Sequence, residues 1–182
     1  MHIHQSIQSK QQVFMDLYKP AHERLYRFVQ TLVWDKEEAK DIVNETALIA
    51  FEKFENIKDK DFFVSYLFSI ANNLCKKHYK IKKIKAVFEW TKADNNKAWQ
   101  NAEVNVNTFE LNKLLEYLSF EQRRALLLFE LSGFSYDEIS KIEKCSLSAV
   151  KSRIFSAKKV LKKILDKEDF QIQNNLFKSI EA

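Results

Sequence analysis

Apolar positions along this chain recur at helical spacing, and no segment shows the strict alternation of a half-buried strand. The run VFMDLY at 13–18 reads as a short helix, with Pro20 closing it. Leu25, Phe28, Val29 and Leu32 mark one face of a second helix. Asp35 followed by Glu38 has the spacing of a capping box, so a third helix is predicted to start there. Its buried stripe would be Ala39, Ile42, Val43, Thr46, Ala47, Ala50 and Phe54. At about 100° per residue, Glu38, Asp41, Glu45 and Glu52 fall together on another face. The stretch NIKDKD breaks the pattern as a loop. A fourth helix follows, with Phe63, Leu67, Ile70, Ala71 and Leu74 inward, ending in KKHYKIKKIK.

After residue 84 the apolar stripe fades. The segment 85–108, rich in Asn, Lys and Ala, reads as a linker in which Trp90 and Trp99 are unusual. A second patterned block begins with LNKLLEYL. Ser119 with Gln122, and Ser135 with Glu138, supply capping boxes for two further helices, and Gly133 sits where the first of them must stop. A brief turn, EKCS, leads into LSAVKSRIFSAKKVLKKIL. Two helices joined by a short turn, the second strongly basic, form the helix-turn-helix pattern. On the last helix Leu147, Val150, Ile154, Ala157, Leu161 and Leu165 share one face. Ser148, Lys151, Ser152, Phe155, Lys158, Lys159 and Lys162 share the opposite one. A large aromatic amid lysines needs cover. Either the linker or another helix packs on Phe155, or it faces a DNA major groove, where thymine offers a methyl group and lysines neutralise phosphates. Arg153, at the edge of the apolar face, is a candidate partner for Glu138.

Composition narrows the fold class. Of 182 residues only one is Gly and one Pro, too few for the tight turns of an all-β fold. A hydrophobic share of 46% with fifteen Phe can fill a core. The expected architecture is all-α: two small helical domains at 10–84 and 109–167, the linker at 85–108 between them, and a tail at 168–182. The net charge of +5 suits an anionic partner, and six lysines crowd into KKHYKIKKIK. Cations at a helix C-terminus favour its dipole, which accounts for part of that cluster. Cys75 and Cys145 lie in different blocks without a CxxC pair, so neither zinc nor a disulfide is expected. His2 and His4 at the N-terminus are a weak basis for a metal. No cofactor is expected. No phosphate-binding loop, carboxylate pair or Ser/His/Asp set suggests an enzyme. No stretch has the apolar length of a membrane span or the core of a signal peptide, which leads to the expectation of a cytoplasmic protein.

The run LYRFVQTLVWDKEEAKDIVNETALIAFEKF, with Asp41-Ile42-Val43-Asn44-Glu45-Thr46 at its heart, resembles region 2 of bacterial sigma factors. FFVSYLFSIANNLCKKHYK is similar to the promoter-melting part of the same region. LSFEQRRALLLFELSGFSYDEISKIEKCSLSAVKSRIFSAKKVL resembles sigma region 4. Nothing resembles an acidic region 1.1 or a region 3, which points to the extracytoplasmic-function subgroup of the sigma-70 family.

The resemblance implies a transcription initiation factor that binds core RNA polymerase and confers promoter recognition and melting. Glu38, Asp41, Asn44 and Glu45 would dock on the beta-prime clamp helices, with the beta flap as a further polymerase contact. Phe62 and Phe63 would hold a flipped base of the minus-ten element, and Asn73, Lys76, Lys77 and Lys80 would contact the separated strand. Ser148, Lys151, Ser152, Phe155, Ser156 and Lys159 would read the minus-thirty-five element. An anti-sigma factor is a further implied partner. Tyr66 and Lys77 stand where the family commonly has Trp and Asp, Lys144 where it has Gly, and Ser156 where Arg is frequent. The alternative is a helix-turn-helix regulator that binds duplex DNA without polymerase. A receiver half with alternating strands would mark that class, and no such pattern precedes residue 85. A helical RNA-binding protein would explain the lysine cluster but not the helix-turn-helix.

Overall fold

The computed structural model describes the backbone of residues 2–57, 59–90 and 106–180, and side chains over 10–57, 59–85 and 111–166. Every regular element among the described residues is helical: α1 (His2–Val33), α2 (Lys36–Glu52), α3 (Phe63–Trp90), α4 (Val106–Glu116), α5 (Phe120–Glu130), α6 (Tyr136–Glu143) and α7 (Leu147–Ile180). Two single 3₁₀ turns, Phe54–Asn56 and Lys60–Phe62, bridge α2 to α3.

The expected break at Pro20 does not occur. Proline lacks an N–H and crowds the preceding turn, yet α1 runs through it for 32 residues. Packing on both sides supplies the compensation. Phe14 and Ala21 are buried before and after the proline, in a cluster with Ala50, Phe54, Phe63 and Leu67. Phe14 meets the rings of Phe54 and Phe63 edge-on at 5.4 and 5.5 Å, the geometry aromatic quadrupoles prefer.

At the corner between α1 and α2, Trp34 takes a left-handed φ of 60°. Asp35 then caps α2 by accepting from the Glu38 N–H at 2.9 Å. Ala39, Ile42, Val43, Thr46 and Ala50 form the buried face of α2. Thr46 satisfies its hydroxyl on the Ile42 carbonyl at 2.7 Å. Ala47, expected in this stripe, is half-buried.

In the second half both capping boxes form. Ser119 and Gln122 close the start of α5, and Ser135 and Glu138 the start of α6. Gly133 takes φ +69° after α5, and Lys144 takes φ 52°, ψ 50° after α6. The turn where the family commonly has glycine is thus left-handed here, with lysine accepting a conformation that costs about 1 kcal/mol or more for a residue with a Cβ.

The halves are not beads on a string. A single buried cluster runs from Leu25, Phe28 and Val43 through Phe68 and Cys75 to Leu128, Phe134, Ile139 and Val150. Two helices reach into the expected linker, 85–108. Helix α3 continues to Trp90 and α4 begins at Val106. Trp99 and the side chain of Trp90 lie outside the described residues. Helix α7 extends through most of the expected tail.

Candidate polymerase and nucleic-acid interfaces

Helix α2 turns its apolar stripe inward, and this leaves Asp41, Asn44 and Glu45 exposed together with Glu52. Glu38 stands apart. Its carboxylate is half-buried and holds Lys82 at 2.7 Å and the His78 Nε2 at 3.5 Å, both from α3. It therefore fastens α2 to α3, and it leaves the capping box at Asp35 without its reciprocal half. The sequence pattern did not single out Leu48, which is 59% exposed at the centre of this acidic face. A strict wheel places it between Asn44 and Glu45, so the signal was present in the spacing.

The segment before α3 is pinned from within. The Lys60 ammonium donates to the carbonyls of Phe54 and Ile57 at 3.0 and 3.1 Å and sits 3.7 Å from the Phe54 ring centre. Asp59 accepts from the Asp61 N–H. This holds Phe62 outward, 54% exposed. Phe63 follows the inward stripe of its helix and departs from the base-holding role that the resemblance implied. It is fully buried against Phe14 and Phe54 and cannot receive a base, because α3 starts there and turns it into the core. Asn73, Lys76, Lys77 and Lys80 are exposed along α3. Asn72 beside them is buried.

On α7, Val150, Ile154 and Ala157 are buried, whereas Leu161 is half-buried and Leu147 and Leu165 are exposed. The inward face is narrower than its periodicity suggested. Among the described residues of α7, full burial ends at Ala157, with Val160 and Leu161 packed partly against the same core. The opposite face carries Phe155, 70% exposed, with Ser148, Lys151, Ser152, Lys159 and Lys162 also exposed and Ser156 half-buried. Packing of Phe155 on another described helix is thereby ruled out. Lys158 is engaged elsewhere. It meets Glu130 at 2.6 Å, and that hydrogen bond raises its pKa.

Arg153 pairs with Glu143, not Glu138. Glu138 is committed to Ser135, whose hydrogen bonds hold its pKa below the usual carboxylate range. The side chain of Glu143 is fully buried and also faces Arg124 at 3.4 Å. Arg124 in turn donates to the Asn72 side-chain carbonyl at 3.0 Å.

The sequence matches two family patterns in the order in which these faces occur, "Sigma-70 region 2" over residues 17–83 and "Sigma-70, region 4" over residues 108–161. The chain belongs to the sigma-70 family, in its extracytoplasmic-function group. It is 29% identical over 144 residues to the ECF RNA polymerase sigma factor EcfG of Rhodopseudomonas palustris, covering 78% of each chain. It is 25% identical over 165 residues to SigX of Bacillus subtilis, covering 86% of this chain and 85% of that one. Its fold is similar to that of RpoE from Bartonella quintana, solved with the anti-sigma factor NepR, at a TM-score of 0.70 and 24% identity over 84% of this chain and 96% of that one. CnrH, solved with the cytosolic domain of CnrY, superposes at 0.67 with 21% identity over 86% and 90% of the two chains. The protein is a sigma factor for transcription initiation. Sigma factors are generally regulators and not enzymes. Among the described residues no helix is long and apolar enough to cross a membrane, and no cluster of His, Cys, Asp and Glu could hold a metal. The side chains of His2 and His4 lie outside the described residues.

Proposed function

We propose that this sigma factor grips core RNA polymerase through the acidic face of α2 and promoter DNA through two basic faces, one for each promoter element. One observation carries the reading: a chain of net charge +5 presents an acid-rimmed helix face, while a separate helix exposes an aromatic among lysines. Asp41, Asn44 and Glu45 suit the beta-prime clamp helices. Leu48 suits the apolar centre of such a contact, where burial contributes most and the charged rim sets approach and register. Glu38 supports this face through α3 and does not contact the polymerase first.

Phe62 offers a stacking surface just before α3, and Asn73, Lys76, Lys77 and Lys80 line that helix further along, a combination suited to single-strand capture, since stacking replaces lost base pairing. Phe63 is not part of it. Ser148, Lys151, Ser152, Phe155, Ser156 and Lys159 would read the minus-thirty-five duplex. In this reading residues 10–84 are the polymerase and minus-ten unit and 109–167 the minus-thirty-five unit, which also meets the beta flap. The work is binding and positioning, with bond chemistry left to the polymerase. It takes place in the cytoplasm, where an anti-sigma factor restrains the protein; the similarly folded RpoE of Bartonella quintana was solved in complex with the anti-sigma factor NepR.

The test is retention of core polymerase by the full chain, followed by run-off transcription on genomic fragments. The expected result is stoichiometric retention and discrete transcripts. Failure to retain core polymerase overturns the proposal and favours a regulator that acts on duplex DNA alone.

A further inference from the structure

Among the described residues, two besides glycine hold a left-handed backbone, Trp34 at φ 60° and Lys144 at φ 52°. That conformation is unfavourable for any residue with a Cβ, and the two sites differ in what offsets it. Trp34 packs partly against the core, and its ring takes the Arg123 guanidinium at 4.3 Å. Lys144 is exposed, and its side chain makes no hydrogen bond, ion pair or ring contact among the described residues. Nothing described inside the fold offsets its strain.

The turn itself demands this geometry. The Lys144 N–H closes α6 on the Ser140 carbonyl, and the Cys145 N–H reaches the same carbonyl at 3.0 Å. Such a helix ending is most easily made with glycine. Glycine does stand after α5, where Gly133 takes φ +69°. At the end of α6 the backbone of lysine is at a disadvantage, so the reason for lysine lies in its side chain.

Its place says what that side chain can meet. In a helix-turn-helix pair the first helix crosses the DNA backbone while the second enters the groove. The turn between them therefore passes over phosphates. Here α6 is the first helix and α7 the second, and Lys144 stands on the turn, shortly before the exposed Ser146 and Ser148. A compact ammonium on a flexible stem suits a phosphate, which asks for charge and not for a fixed fork.

We infer that Lys144 is a phosphate anchor of the minus-thirty-five contact, held at the α6–α7 turn against the stability of the fold. It tightens duplex binding whatever the base sequence, from an element outside the groove-facing side of α7. The inference rests on the assignment of that side to duplex DNA proposed above. At this one position stability and DNA affinity pull in opposite directions.

The experiment uses the full-length chain and a pool of random-sequence duplex DNA, since a phosphate contact carries no sequence information. Lys144→Gly should raise the melting midpoint by about 2 °C. It should also lower duplex affinity about tenfold at about 50 mM salt, with the slope of log affinity against log salt shallower by about 0.9, the share of one phosphate. Lys144→Arg keeps the charge and should keep affinity, slope and midpoint. Lys144→Ala keeps the strain without the charge, so it should lose affinity and slope with no gain in midpoint. Lys40→Ala, on α2, removes the same charge from the other half and should leave the slope unchanged. A Lys144→Gly chain that binds duplex as tightly as wild type, or melts no higher, overturns the inference. So does an equal loss of slope in Lys40→Ala, which would reduce the effect to net charge. If Lys144→Gly does not fold, Lys144→Ala decides on affinity. Lys151→Ala tests the face on which the inference rests. Affinity lost there but not at Lys144 excludes Lys144 alone, and affinity lost at neither sinks the reading of α7 as well.

Discussion

The exposed faces of α2 and α7 are built on different foundations. Helix α2 buries five side chains along its length and ties its N-terminal turn to α3 through Glu38, Lys82 and His78. Its outer residues are held by a continuous core beneath them. Among its described residues helix α7 fully buries Val150, Ile154 and Ala157, and the ion pair of Arg153 with Glu143 fastens it to the end of α6. The acidic face is therefore positioned by apolar packing, and the lysine face by packing plus one buried carboxylate. A change in charge should displace a face of the second kind more than one of the first, whose ion pairs to Lys82 and His78 sit at one end of a packed helix.

Glu143→Ala should separate the two most sharply. Removing the shared carboxylate leaves Arg124 and Arg153 uncompensated, which costs about 3–5 kcal/mol for a buried pair. Thermal unfolding should show the α5–α7 half melting first, while retention of core polymerase through α2 survives at low temperature. A single cooperative transition at the wild-type midpoint would mean that the carboxylate does not hold α7. Next in size is Asp41→Lys with Glu45→Lys, expected to lower core affinity about a hundredfold, since each reversal turns an attraction into a repulsion worth about 1.4 kcal/mol. Fluorescence titration with core polymerase reads this, and an unchanged affinity would reduce the stripe to a solvated surface. Phe155→Ala should leave core affinity as it is and lower promoter-directed transcript about tenfold, by loss of apolar contact with bases. Equal transcript from the variant would remove Phe155 from the readout.

The smallest effect concerns pH. Hydrogen bonds from Ser135 hold the Glu138 pKa below its ordinary value. A carboxyl whose folded pKa is depressed contributes stability above its unfolded pKa, and that contribution is lost as pH falls through the folded value. The melting midpoint of the wild type should therefore decline on acidification below the usual carboxylate range, and Glu138→Gln should flatten that decline. Identical pH profiles would show the cap to be energetically silent.

Local signals were legible because the residues that carry them act on their own neighbours. The boxes at Ser119–Gln122 and Ser135–Glu138 and the stop at Gly133 form as their spacing dictates. The exposure of Phe155 followed from one helix wheel. Three readings failed where a distant partner decided the outcome. Pro20 does not end α1, because Phe14 and Ala21 are anchored by rings from residues 54 and 63. Phe63 is core, because the turn at Lys60–Phe62 sets the phase of α3. Arg153 finds Glu143, because Glu138 is consumed by its own cap. Nothing in the spacing marked Arg124, whose partner Asn72 is 52 residues away.

On α3, Cys75 is fully buried in the cluster that runs through both halves, and burial pushes its thiol pKa up to about 12. Sealed and protonated, it is inert to alkylating reagents, whereas Cys145 is half-buried at the turn before α7. The chain thus carries a built-in stopwatch: the rate at which Cys75 takes up iodoacetamide counts how often water reaches that cluster, without a dye or an added residue.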